Sequence, residues 1–442
     1  MQQIEMSEGV AKALDSIVSQ RLALLAGAGL SMAPPSNLPS ANAIAAEAKR
    51  RHDQTYGASR PPLPAAIEDQ AEHFFRRNEL ASVYFRTLVD QNAFTKPPNA
   101  GHHAVADLLL IQCIETAITT NVDPLIECAG INLFGRIGTG LDGVQAAALP
   151  PRTSPLLKIH GCIQRDPENT VWAKGQIAVP PVSGRIASST TWLSGRLLDR
   201  DLLIVGFWTD WDYLNDALGS VLDRASPSKV ILVDLADATT IERKAPRLYS
   251  LGQSAAGGFW HVQASGSDFL SALRKEFSRT FIRKVIGSGI GYSDGTAEIP
   301  APTSITEPPD LDNEALWQMR RDLEGCKPGN PASLRDPPLE PLMGETLLRL
   351  RAAGAVAEGS YWNLRGRMIR VLRTANQLIR RVEAEYANDA PPPTAPELTI
   401  AVGAEHDYLP SSIVRAGSPP SIARGGSSGW ITRAQAIEEL GL

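Results

Sequence analysis

The chain has no Cys-x-x-Cys pair, and its four cysteines (Cys113, Cys128, Cys162, Cys326) lie scattered among 442 residues. A zinc ribbon needs two such pairs and a disulfide framework needs dense cysteines, so neither is expected and no metal is called for. No apolar run approaches bilayer length; residues 22–30 are short and flanked by Arg21. The opening MQQIEMSEG is acidic and lacks the basic-then-apolar order of a signal peptide. A cytoplasmic location without membrane attachment is the expectation. Positive charge is not in excess: the formal net charge is -5, which argues against global attraction to nucleic acid while leaving room for a local basic face. No internal repeat is present.

What the chain does have is an apolar fraction of 43% with 21% charged residues, enough to pack ordinary globular cores. At 442 residues it exceeds one core and predicts two domains, or one with an appendage. Short continuous apolar runs at 21–26, 114–120, 156–159, 202–205, 230–233 and 259–262 read as strands buried on both faces. Helical patterns at 7–19, 67–90, 104–110, 212–222 and 267–283 alternate with them. The alternation predicts an α/β fold, a doubly wound, mostly parallel, Rossmann-like sheet with a helical insertion. This domain is assigned to 1–286. Residues 287–310 read as a Gly/Ser/Pro linker, 311–388 as a helical region, and 389–442 as a Pro/Gly/Ser-rich tail ending in a short helix.

Chemistry-bearing residues gather at the ends of the predicted strands. Gly27-Ala28-Gly29-Leu30-Ser31 closes the first; its glycines permit either a simple tight turn or close backbone approach to a phosphate. Thr119-Thr120-Asn121-Val122-Asp123 puts an amide and a carboxylate at a strand's carboxyl end, where ligands bind in open α/β sheets. The same residues, followed by Pro124, also suit a helix cap. Lys158-Ile159-His160-Gly161 ends another strand, with His160 either a satisfied core histidine or a proton acceptor at the ligand edge. Gly206 and Phe207 follow the next strand, and Asp234 ends the one after, where an acid can hold a ribose hydroxyl.

In this order, the motifs resemble the sirtuin superfamily, and more closely the sirtuin-like NAD-consuming proteins of bacterial antiphage defence. Pro98-Asn99-Ala100-Gly101-His102-His103, Leu125-Ile126-Glu127 and Ser265-Gly266-Ser267-Asp268-Phe269-Leu270 add to the likeness, which covers about residues 15–280. The resemblance implies that Gly27, Ala28, Gly29 and Ser31 cradle the NAD diphosphate. It implies that Asn121 orients the attacking group at the nicotinamide ribose, that Asp123 supports the nicotinamide end, and that His160 is general base. Gly206 and Phe207 then line the phosphate–ribose side, and Asp234 and Ser265 lie near the adenosine. Three departures bear on the acceptor. The zinc ribbon is absent, Leu38-Pro39-Ser40-Ala41 replaces the family's Pro-Asp-Phe-Arg segment, and no acyl-lysine groove is recognisable between Cys162 and Asp199. They favour water, and hence an NAD glycohydrolase. A zinc-free deacylase and a non-catalytic NAD or ADP-ribose sensor are the rivals.

Other signals are discounted or left open. Gly425-Gly426-Ser427-Ser428-Gly429 matches G-x-S-x-G without a preceding strand. Adjacent His102 and His103 point apart on a helix, which favours capping or packing under the site floor over metal binding. Trp208 and Trp211 can stack on a base or simply pack. Arg365, Arg367, Arg370, Arg373, Arg380 and Arg381 form either a solvated face or a partner surface. A helix at about 360–386 would offer Leu364, Met368, Leu372, Leu378, Ile379 and Val382 for packing, which suggests a homo-oligomer or partner sensing. The family likeness adds a helicase-like ATPase or a nucleic-acid-guided protein as possible partners.

Overall fold

A computed structural model describes residues 1–207, 227–290, 292, 307–327, 339–387, 395–406 and 429–442. The expected helix at 212–222, Trp208, Trp211 and residues 425–428 lie outside the described residues. The chain forms two compact units, Met1–Leu273 and Arg274–Leu442.

The first unit holds an eight-stranded sheet: β1 (Gln2–Gln3), β2 (Leu22–Ala26), β3 (Ala117–Thr119), β4 (Thr139–Gly140), β5 (Leu156–Lys158), β6 (Asp201–Val205), β7 (Val230–Asp234) and β8 (Phe259–Gln263). The order is β1-β8-β7-β6-β2-β3-β5-β4, and every pairing is parallel. All five residues of β2, β6 and β7 are buried. Helices cover both faces, which is why these strands read as unbroken apolar runs rather than alternating ones. Leu25, Ile118, Leu157, Ile204 and Leu232 form one core around the sheet. After β2 the chain builds outward through β3 and β5, then returns to add β6 on β2's other side. The strand order therefore reverses at β2, the place where open α/β sheets bind ligands at the carboxyl ends of their strands.

Between β2 and β3 lies the helical insertion, with its own core of Phe74, Tyr84, Phe85 and Leu88. The single helix expected at 67–90 is broken. Ile67–Phe75 is α-helical, Asn78 takes φ +56, and Leu80–Leu88 winds as a π-helix. Its wider turns show in Tyr84 N–H donating to Glu79 O at 3.2 Å and Val89 N–H to Tyr84 O at 3.0 Å.

The second unit carries the helices Asn313–Glu324, Glu340–Ala352, Ile379–Tyr386 and Arg433–Leu440, all within stretches read as helical. It also carries a sheet that the sequence pattern did not reveal: β9 (Val356–Glu358), β10 (Tyr361–Leu364), β11 (Arg367–Arg373), β12 (Leu398–Val402) and β13 (Trp430–Thr432). Their order is β13-β12-β11-β10-β9, with β9 to β11 antiparallel and β11 to β13 parallel. The helix expected at 360–386 is thus replaced by β10, β11 and a short helix. Arg365 at φ +55 and Gly366 at φ +84 make the two-residue hairpin turn that a helix cannot contain. Two of the supposed surface arginines are buried. Arg370 makes a two-pronged bond to Asp322 at 2.8 and 2.6 Å, and Arg373 lies 3.8 Å from Glu340. The region read as tail supplies β12, a fully buried strand.

Candidate functional site

The glycines after β2 serve a contact between two loops. Gly27 N–H donates to Val205 O at 2.9 Å, and Gly29 N–H to Gly206 O at 3.0 Å. A Cβ on Gly27 would lie 2.5 Å from Gly206 O and 2.7 Å from Phe207 Cα; one on Gly29 would lie 2.9 Å from Gly206 Cα. Side chains are excluded there, and Gly206 needs its φ of +56 as well. The loops after β2 and β6 therefore meet backbone to backbone at the strand ends, with Ala28 exposed. Phe207 is 4% exposed and packs into the sheet core with Leu25 and Ile204, so it anchors its loop from below.

Ser31 is the hub of a buried network. Its Oγ donates to Asp123 Oδ2 at 3.0 Å and accepts from Asn121 Nδ2 at 2.9 Å. His102 Nε2 lies 3.1 Å from the same oxygen. The His102 tautomer follows from its other nitrogen: Asn99 N–H donates to Nδ1 at 3.1 Å, so Nε2 carries the proton and donates to Ser31. Burial, aided by the neighbouring His103 and Lys158, pushes the His102 imidazole down to about 3, so this tautomer is neutral at physiological pH. The Ser31 hydroxyl has then used its proton and both lone pairs. Its side chain is committed to His102, Asn121 and Asp123.

Asn121 sits just past β3, its N–H bonded to Thr119 Oγ1 at 3.0 Å. Because Nδ2 is committed to Ser31, the amide's orientation is fixed. Oδ1 is buried and meets no donor among the described residues. Asp123 uses both of its carboxylate oxygens within the protein. Oδ2 holds Ser31, while Oδ1 accepts from Leu125 N–H at 3.1 Å at the start of the helix Leu125–Asn132.

His160 follows β5, the strand beside β3. Its ring donates to the Thr120 carbonyl, next to Asn121, but burial dominates and brings it down to about 4. A neutral imidazole is therefore available at neutral pH, partly exposed just past β5. Asp234 and Ser265 lie farther along the same edge, Asp234 ending β7 and Ser265 following β8. Asp234 Oδ1 caps a turn by accepting from Ala236 N–H at 2.8 Å, and Ser265 opens the helix Gly266–Gly289.

The structure thus gathers Ser31, Asn121 and Asp123 into one cluster beside His160, and sets Asp234 and Ser265 apart from it. Asn99, His102, Ser267 and Lys158 were not read as members. Asn99 and His102 form a capping box, and Gly101 N–H donates to Ser267 Oγ at 3.1 Å. The signal for His102 was its place three residues after an N-cap asparagine. Beyond the Gly161 turn a cavity of about 580 Å³ opens between the π-helix and the next loop, lined by Phe85, Val89, Ile163, Pro167 and Glu168 among others. Among the described residues there is no group of three or more His, Cys, Asp or Glu able to hold a metal, and no helix long and apolar enough to cross a membrane.

No family model and no curated protein matches this chain. Among solved structures it is similar to a Sir2 homolog–NAD complex at 16% identity, over 63% of this chain and 97% of that one, with a TM-score of 0.38. A second is described as "Structural Basis for the Mechanism and Regulation of Sir2 Enzymes", at 14% identity, 62% and 99% coverage and TM-score 0.37. A Sir2–p53 peptide–NAD+ structure is similar at 14% identity, 62% and 98% coverage and TM-score 0.35. Likenesses this distant carry no functional weight, which rests instead on the cluster around Ser31.

Proposed function

We propose that this chain cleaves the nicotinamide–ribose bond of NAD and passes the ribose to water. The observation that carries the reading is Asn121. Its amide is locked by Ser31, so that a buried acceptor with no donor among the described residues stands at the carboxyl edge of a parallel sheet beside a neutral histidine. Such an acceptor suits the O–H of a ribose or of a water held for attack, where correct placement supplies much of the rate. Loss of nicotinamide leaves a cationic ribose, which the Asp123 carboxylate and the oriented Asn121 dipole stabilise. His160 takes a proton from the attacking or ribose hydroxyl; a bound diphosphate nearby would raise its basicity. The meeting of Gly27, Gly29 and Gly206 keeps the strand ends there free of side chains, which suits a diphosphate, and Asp234 suits a ribose hydroxyl on the adenosine side.

A second reading keeps the same site but uses an acylated lysine as acceptor, without zinc. Incubation of the purified chain with NAD separates the readings. ADP-ribose and nicotinamide from NAD alone support hydrolysis, nicotinamide only with an acylated peptide supports deacylation, and binding without either product supports a sensor. The motif order further supports a role in antiphage NAD depletion in the cytoplasm, restrained until self-assembly or a partner releases it. A freely active enzyme would exhaust its own cell's NAD. The second unit, which bears none of the cluster, is the candidate for that control.

A further inference from the structure

We propose that Lys158 is a positioning residue whose buried ammonium fixes the turn at 121–123 from beneath; the inference rests on the reading of Asn121 and Asp123 given above. Lys158 closes β5 and is 1% exposed, a place where an apolar side chain would cost nothing in solvation. Its Nζ instead donates to the Asp123 backbone carbonyl and to Glu127, whose carboxylate oxygens lie 3.2 and 3.5 Å away. Each residue of the turn is tied by a bond of its own. Asn121 N–H is bonded to Thr119 Oγ1, Val122 O accepts from Ile163 N–H at 3.0 Å, and Asp123 O accepts from Lys158. The Asp123 side chain is held at the same time by Ser31 and Leu125. Lys158 is the charged tie of the three. Glu127, on the first turn of the following helix and 19% exposed at its side chain, aims the ammonium at the carbonyl.

A buried ion pair adds little net stability over apolar residues of the same shape, whereas removing one partner is costly. A structural role and a positioning role therefore separate in a paired replacement. Lys158→Met alone should lower the unfolding midpoint and slow nicotinamide release. The double variant Lys158→Met/Glu127→Leu should recover the midpoint. Its amides across 121–125 should still exchange hydrogen about tenfold faster than wild type, and its kcat should stay about tenfold or more down with KM for NAD little changed. A double variant that is stable, exchanges like wild type across 121–125 and turns over normally overturns the proposal. If the Lys158 variants do not fold, Glu127→Leu decides: faster exchange at 121–125 supports the role, and unchanged exchange refutes it. If wild type releases no nicotinamide, the proposed reaction fails, while the exchange measurement still decides what Lys158 does.

Discussion

Replacing Ser31 by alanine probes the network where stability and chemistry meet. The side chain is 2% exposed, and its oxygen serves three partners. Without it, His102 Nε2–H and Asn121 Nδ2 lose an acceptor, and Asp123 Oδ2 loses a donor. An unpaired buried polar group costs about 1–3 kcal/mol. Shared partners make the terms non-additive, so a total of about 2–4 kcal/mol is expected in urea unfolding. The kinetic consequence follows from Asn121. Once its Nδ2 is released the amide can turn, and the oriented acceptor is lost. Loss of one positioned dipole typically costs about a hundredfold in kcat. KM for NAD should stay within about threefold, because the interaction removed is one needed in the transition state. Were Ser31 a diphosphate ligand, the pattern would invert, with KM raised and kcat kept. Steady-state nicotinamide release separates the two. A Ser31→Ala protein less than about 0.5 kcal/mol weaker than wild type, with unchanged kcat, would refute the hub.

Asn121→Ala and His160→Ala should each lower NAD turnover about a hundredfold or more, and Asn121→Ala should also lower the unfolding midpoint because it removes the buried amide that donates to Ser31 Oγ; near-normal turnover in both would unseat the site. Acid should destabilise the fold through His102, held at about 3, and His160, at about 4, against about 6.5 in the unfolded chain. Above pH 6.5 or so both states are neutral and nothing changes. As pH falls below that, the unfolded chain gains protons that the folded one refuses, so stability drops by about 1 kcal/mol per pH unit for His102 and by less for the partly exposed His160. A melting temperature flat between pH 6.5 and pH 4.5 or so would contradict this burial. In the second unit, Arg370→Met strands the buried Asp322 carboxylate and should cost about 3–5 kcal/mol, and Arg370→Met/Asp322→Leu should recover most of it; equal losses in single and double variants would show that the pair is not the cause. Gly29→Ala should destabilise the first unit, because its Cβ would meet Gly206 Cα at 2.9 Å; a wild-type melting curve would show that the two loops can part.

Sequence alone determined most of the first unit, because a strand covered on both faces must be apolar without interruption. The runs at 202–205 and 230–233 stand out by composition, with no polar residue to break them. It also placed Asn121, Asp123 and His160 at strand ends, since a parallel sheet sends every strand's carboxyl end to one edge. The second unit was harder to read. Leu364, Met368 and Leu372 recur at a four-residue spacing that mimics a helix face, and only Gly359 and Gly366, both at positive φ, mark the hairpin turns between the strands. The arginines of β11 looked solvated because their acids, Asp322 and Glu340, come from helices remote in sequence. Tertiary structure alone decided who partners whom. A serine in a glycine-rich turn is, by sequence, a phosphate ligand as readily as a hub. It becomes the hub only when folding brings His102 and Asn121 to its lone pairs and Asp123 to its proton. Local sequence sets a residue's capacity for hydrogen bonds, and only the packed fold determines which groups fill it.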